Sequence, residues 1–224
     1  MTLGTWALAA LGAGALGWVG PYVIRLLPPS LDAEPETPGY PELARVPHLS
    51  AWLALGAVVL VTIVATAVPA ALLPAWAVVC GVGSWLAYID ARTHLLPTRI
   101  VWPLYAAALV VVMLEAWLAR DANIAVRAVL ASAVAFGVFW LFWRIGEFWK
   151  AGGFGFGDVR FSAPLGLVLG SVGDWAPPVG LYLGILIGGI VGIVLKARGR
   201  DGAFALGPWL LVGAVLGPVA VSAF

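Results

Sequence analysis

Charge is what this sequence is short of. Only 10% of its 224 residues are Asp, Glu, Lys or Arg, while 62% are hydrophobic and the mean hydropathy is +1.03. A soluble domain carries roughly 25% charged residues, so an ordinary water-soluble fold is excluded. Cysteine is scarcer still: Cys80 stands alone, inside the apolar run Val78-Val79-Cys80-Gly81. One thiol can neither close an internal disulfide nor supply a four-cysteine zinc site, and Cys80 is expected to be a small buried hydrophobe. No strong excess of either charge is present. A net charge of +1 provides no bulk attraction for nucleic acid, and no such partner is expected. The alternating pattern of a membrane β-barrel strand is also missing, as is any internal repeat, which leaves an all-α class.

What the sequence has instead is long apolar runs. A helix needs about 20 residues to cross a hydrocarbon core. Eight candidate spans stand out, at 3–24, 51–69, 71–89, 100–118, 124–146, 159–172, 176–195 and 204–222. The expected architecture is a polytopic membrane helical bundle. The segment Met1 to Trp18 has no basic n-region, so it is expected to be a retained first span rather than a cleaved signal peptide.

Orientation follows from Lys and Arg, which favour the cytoplasmic side. With the N-terminus outside, the inner segments hold Arg25, Arg45, Arg92, Arg99, Arg144, Lys150, Arg160, Lys196, Arg198 and Arg200. The outer ones hold only Arg120 and Arg127. Both termini are therefore expected outside, with the basic loops in the cytoplasm. The one sizeable hydrophilic stretch, residues 28–48, contains six prolines and four acidic residues. It is expected to be an irregular, extended loop within a single domain covering 1–224.

A carboxylate near a membrane core is costly, so each one requires a reason. Of eleven acidic residues, Asp32, Glu34, Glu36 and Glu42 lie in the long loop, and Asp121, Asp174 and Asp201 lie in short loops between spans. Glu115, near the outer end of the fourth span, is expected to snorkel to water. Glu147 lies beside Arg144 and Lys150, where local ion pairing explains it. That leaves Asp90, which closes the third span, and Asp158, which opens the sixth. Two complete spans separate them, so both fall on the same face.

Gly152, Gly153, Gly155 and Gly157 precede Asp158. Gly costs about 1 kcal/mol against Ala in a helix, so an irregular backbone is expected there, open to close approach by a substrate strand. The span that follows is short: about 14 residues reach about 21 Å, against a ~30 Å core. A water-filled cleft in the inner leaflet would accommodate both features. Two carboxyl groups brought together there would share one proton and titrate as a unit. The ionised one can draw a proton from water while the neutral one donates to a carbonyl. From spacing alone, unrelated end-of-helix charges explain the pair equally well, with Asp158 stabilising a helix N-terminus.

Family resemblance separates these readings. The segment GFGFGDVRFSAPLGLVLG resembles the GxGD segment of type IV prepilin peptidases, and YIDARTHLLPTRIVWPL resembles their first aspartate segment. GAFALGPWLLVGAVLG is similar to their Phe-Gly-Pro segment, and VIRLLP to the end of their first span. The likeness runs in order along nearly the whole chain. It implies an aspartic-type membrane endopeptidase that cuts the short basic leader from prepilin or pseudopilin precursors, at the cytoplasmic face of the plasma membrane. Asp90 and Asp158 would be the catalytic pair, Gly155 and Gly157 the motif glycines. Arg160 stands where the family usually has Lys, Phe161 where it has Leu, Thr98 where Asp is frequent, and Leu206 where a bulkier ring is usual. Arg160 would hold the substrate backbone, bias an aspartate toward ionisation, or simply anchor the helix.

Longer family members carry a CxxC…CxxC zinc module in the first cytoplasmic loop, linked to N-methylation of the new N-terminus. Residues 28–48 contain no cysteine, so neither zinc nor another cofactor is expected, and methylation is doubtful. Three other classes remain open: an ion- or proton-coupled transporter using Asp90 and Asp158, a scaffold with incidental acids, and a GxGD protease for other membrane peptides. Presenilin-like enzymes expect Tyr before the first Asp, whereas Ile89 stands here. His94, four residues past Asp90, is expected to be a solvated loop residue, and His48 to mark the membrane edge. Most of the twelve Trp residues are expected to be interfacial anchors. Assembly as a homo-oligomer is left open.

Overall fold

The computed structural model describes residues 3–29, 37–148, 155–199 and 204–223. Every regular element among them is helical. In chain order these are α1 (Leu3–Arg25), α2 (Tyr40–Leu43), α3 (Leu49–Ala65), a 3-10 turn (Ala70–Leu72), α4 (Leu73–Thr93), α5 (Thr98–Ala119), α6 (Ala122–Phe148), α7 (Phe156–Val172), α8 (Ala176–Ala197) and α9 (Gly207–Ser222).

Each of the eight apolar runs contains one long helix. Five of the helices, α1, α4 (with the 3-10 turn before it), α5, α6 and α8, are long and apolar enough to cross a membrane. Helices α3, α7 and α9 have 17, 17 and 16 residues, a reach of about 24–26 Å at 1.5 Å per residue. Together with the apolar composition, the five long helices mark a membrane protein.

Burial sorts the helices into two kinds. Helices α4 and α7 form the interior: Trp76, Val79, Cys80, Leu86 and Ile89 of α4 and Val159, Phe161, Leu165, Leu167, Val168 and Leu169 of α7 are fully buried. Helices α6 and α8 turn Val134, Leu141, Phe148, Tyr182, Ile190 and Ile193 outward, as expected where the surroundings are lipid. Small residues bring backbones together, as membrane helix pairs require. A Cβ on Gly170 would fall 2.6 Å from the Arg127 carbonyl oxygen, and one on Gly166 2.8 Å from that of Ala131. Helices α6 and α7 therefore touch along their length.

Two expectations need correction. The 28–48 stretch is not wholly irregular: Pro41, whose fixed φ suits a first helical turn, helps to form α2 after the extended Gly39. Residues 30–36 of that stretch lie outside the described residues. Glu115 does not snorkel. It is 5% exposed, and its Oε1 accepts the Ala75 N–H at 2.8 Å, because α5 presses against the start of α4, where the first N–H groups lack helical partners. Trp18, Trp52, Trp117 and Trp175 are exposed, whereas Trp76 and Trp85 are core residues, and the Trp85 indole donates to the Leu16 carbonyl. Glu147 is exposed at the end of α6 and forms no ion pair with a described residue; Lys150 lies outside them.

Candidate functional site

The two aspartates arrive from opposite chain directions. Helix α4 runs toward one end of the bundle and stops after Thr93, where His94 takes a left-handed conformation (φ 53°) and donates its N–H to the Asp90 carbonyl at 2.8 Å. Asp90 thus lies in the last full turn. The chain then crosses Leu95, Leu96 and Pro97 and turns back as α5. Helices α5 and α6 carry it away and return it, and α7 starts at the same end.

Gly155 is the extended residue before α7 (φ −72°, ψ 145°), and the Asp158 N–H donates to its carbonyl at 3.0 Å. Asp158 therefore belongs to the first turn of a helix. The irregular backbone expected through Gly157 is confined, among the described residues, to Gly155, and Gly152 and Gly153 lie outside them. In a first turn the N–H groups have no helical acceptor to lose, so glycine there is tolerated. Gly157 is instead a contact residue: a Cβ on it would fall 2.8 Å from Leu96 Cβ. Its bareness lets α7 approach the loop that follows Asp90.

Asp90 is 4% exposed and Asp158 7%. Both line one cleft of about 440 Å³, bounded also by Tyr40, the 94–98 loop, Trp143, Phe156 and Arg160. Asp90 Oδ2 accepts the Gly207 N–H at 2.8 Å, at the start of α9. Arg160 lies across the cleft wall, half-buried, donating to Thr98 Oγ1 and stacking 4.5 Å over the Phe156 ring. Phe156 packs edge-on against Trp143 at 4.9 Å. On the opposite side, Tyr88 donates to the Leu43 carbonyl at 3.0 Å, which ties α2 to α4. His94 is exposed at the rim.

The structure thus brings together Asp90, Asp158, Gly155, Gly157 and Arg160, all singled out in the sequence. It adds Gly207, Tyr40, Phe156 and Trp143. The Gly-Pro pair at 207–208 was a usable signal for the first, since Pro favours the first helical turn. Nothing local pointed to Tyr40. Cavity size alone is no guide: a larger hollow of about 660 Å³ lies at the other end of the bundle, lined by Met113, Trp117, Arg120 and Asp121, and no buried acid borders it.

Chemically, two buried carboxyls that line one cleft suit acid–base attack of water on a carbonyl. Comparison with known proteins supplies the family. Residues 77–195, more than half of the chain, match the sequence model of the type IV leader peptidase family. No curated protein and no solved structure matches. The matched region contains both aspartates, and the chain belongs to the type IV leader peptidase family, a family of peptidases.

Proposed function

We propose that this protein is a membrane aspartyl endopeptidase that removes the short basic leader from type IV prepilin or pseudopilin precursors, with Asp90 and Asp158 as its catalytic pair. One observation carries this reading: two buried carboxyls, from the end of α4 and the start of α7, border a single cleft. One carboxyl is ionised and the other protonated, because like charges at close range disfavour double ionisation. The ionised partner takes a proton from water as the oxygen attacks the scissile carbonyl, and the protonated partner donates to the carbonyl oxygen. Collapse of the tetrahedral intermediate breaks the C–N bond: the proton held by the first carboxyl passes to the leaving amine, and the former carbonyl oxygen returns its proton to the second carboxyl, which restores the starting pair. Gly155 and Gly157 shape the backbone beside Asp158, and Arg160 offers guanidinium N–H groups to the bound peptide.

The basic loops support a topology of eight spans, with both termini outside and the cleft facing the cytoplasm across the plasma membrane. On this reading residues 1–224 act as one peptidase domain, and 28–48 takes the place that a zinc and methylation module holds in longer relatives. A transporter reading has less support, since the two acids lie at one end of the bundle rather than at its midplane.

The test is co-expression with a pilin-like precursor, followed by immunoblot of precursor size. Wild type and Glu147→Ala are expected to shorten the precursor, while Asp90→Ala and Asp158→Ala, inserted to the same level, leave it intact. Cleavage that survives loss of either aspartate would remove the dyad from the mechanism.

A further inference from the structure

Asp90 is held by a residue 117 positions away in the chain. Gly207 opens α9, where an N–H has no acceptor within the helix and the helix dipole favours a carboxylate. That N–H donates to Asp90 Oδ2 at 2.8 Å in a buried contact. There is no room for anything larger: a Cβ on Gly207 would fall 2.8 Å from Asp90 Oδ2 and 3.3 Å from Cγ. Among the described residues Asp90 Oδ1 accepts no hydrogen bond, so one oxygen is anchored and the other is left for chemistry.

The position of Gly207 is itself set by a seam of small residues. Helix α8 presents Gly180, Gly184 and Gly188 to α9. A Cβ on Gly213 would overlap the Gly184 backbone, one on Gly217 would fall 2.7 Å from Gly180 Cα, and one on Gly184 2.8 Å from Leu210 Cα. At the site end, a Cβ on Gly188 would meet Leu206, the residue before Gly207, at 2.7 Å. Backbones in contact at the Gly180 and Gly184 levels, and side chains against Gly188, resist sliding of α9 along α8, because any shift drives a side chain into a backbone.

We propose that Gly207 is a positioning residue for the peptidase reaction: its N–H and its missing side chain fix Asp90 in one orientation, with Oδ1 as the oxygen that takes the proton from water. The α8–α9 glycine seam sets the height of that contact. This inference rests on the leader peptidase reading for its kinetic consequence, but not for the contact itself.

Two measurements on the full-length protein in lipid nanodiscs test it. The first is cleavage of a synthetic peptide carrying a basic leader, a Gly and an apolar segment. Gly207→Ala is expected to lower kcat about 100-fold, the loss that an ångström of misplacement brings, with KM within about threefold. Gly189→Ala on α8, where the added methyl meets nothing within 4 Å, keeps the wild-type rate. The second is residue-resolved hydrogen exchange: the Gly207 amide is expected to exchange about tenfold faster in Asp90→Ala than in wild type, since its acceptor is gone. Wild-type turnover by Gly207→Ala overturns the proposal, and so does Gly207 exchange that ignores Asp90. If wild type cuts no leader peptide, the substrate assignment fails, and the exchange comparison still decides whether Gly207 holds Asp90.

Discussion

Asp90 and Glu115 are buried at opposite ends of the bundle and are gripped in the same way. Asp90 accepts the Gly207 N–H at the start of α9, Glu115 accepts the Ala75 N–H in the first turn of α4, and both contacts are 2.8 Å long. Their exposures are 4% and 5%. Burial and a donor at a helix N-terminus are therefore common to both and distinguish neither. What differs is company. Asp90 shares a cleft with Asp158, whereas Glu115 is the only buried acid at its end among the described residues, and its Oε2 is buried without a hydrogen-bond partner. A second acid and an open cleft, rather than a costly carboxyl as such, mark the place where chemistry fits. Glu115 instead pins the start of α4 to α5.

The largest expected effect separates the two ends outright. Asp90→Asn and Asp158→Asn should each lower peptide cleavage by about 1,000-fold or more, the range of a lost acid–base partner, while Glu115→Gln stays within about threefold of wild type. A Glu115→Gln variant as inactive as the aspartate variants would erase the contrast. Stability should reverse the order. Glu115→Ala leaves the Ala75 N–H buried without its acceptor, a loss of about 1–3 kcal/mol, and its thermal midpoint in detergent should fall clearly below that of Glu115→Gln.

Within the cleft the effects become smaller. Thr98→Val removes the hydroxyl that holds Arg160, and cleavage should drop about three- to tenfold, as the net loss of one half-exposed hydrogen bond, about 0.5–1.5 kcal/mol, implies. Thr98→Ser should keep the wild-type rate, and a Val variant that matches wild type would reduce Arg160 to a charge anchor. The smallest effect belongs to His94, whose left-handed φ of 53° costs a side-chain-bearing residue roughly 1 kcal/mol. His94→Gly should unfold at a slightly higher temperature and His94→Val at a lower one, with little change in cleavage from either.

The same contrast explains what was legible in the chain. Apolar runs and the scarcity of charge located every long helix, because crossing a hydrocarbon core demands length and apolarity from each segment by itself. Asp90 and Asp158 were legible because two intervening runs return the chain to the same face, a count that needs no coordinates. Glu115 was misjudged as snorkelling because its partner, the Ala75 N–H, is a backbone group that no side-chain pattern announces. The α2 turn was hidden in a stretch dominated by proline. Gly207 was visible as part of a motif but silent as to its contact, since a residue 117 positions from Asp90 meets it only once α9 has packed.

Read alone, the chain yields the membrane class, the all-helical build, the family and the two acids at one face. Each of these depends on composition, period or order along the chain, which are local or additive properties. Packing in three dimensions was needed to place α4 and α7 at the centre, to lean Arg160 on Thr98 and Phe156, and to turn Glu115 inward. It alone showed that Gly207 grips Asp90. Those facts depend on which backbones approach closely, and that is settled by the packing of small residues between helices far apart in the chain.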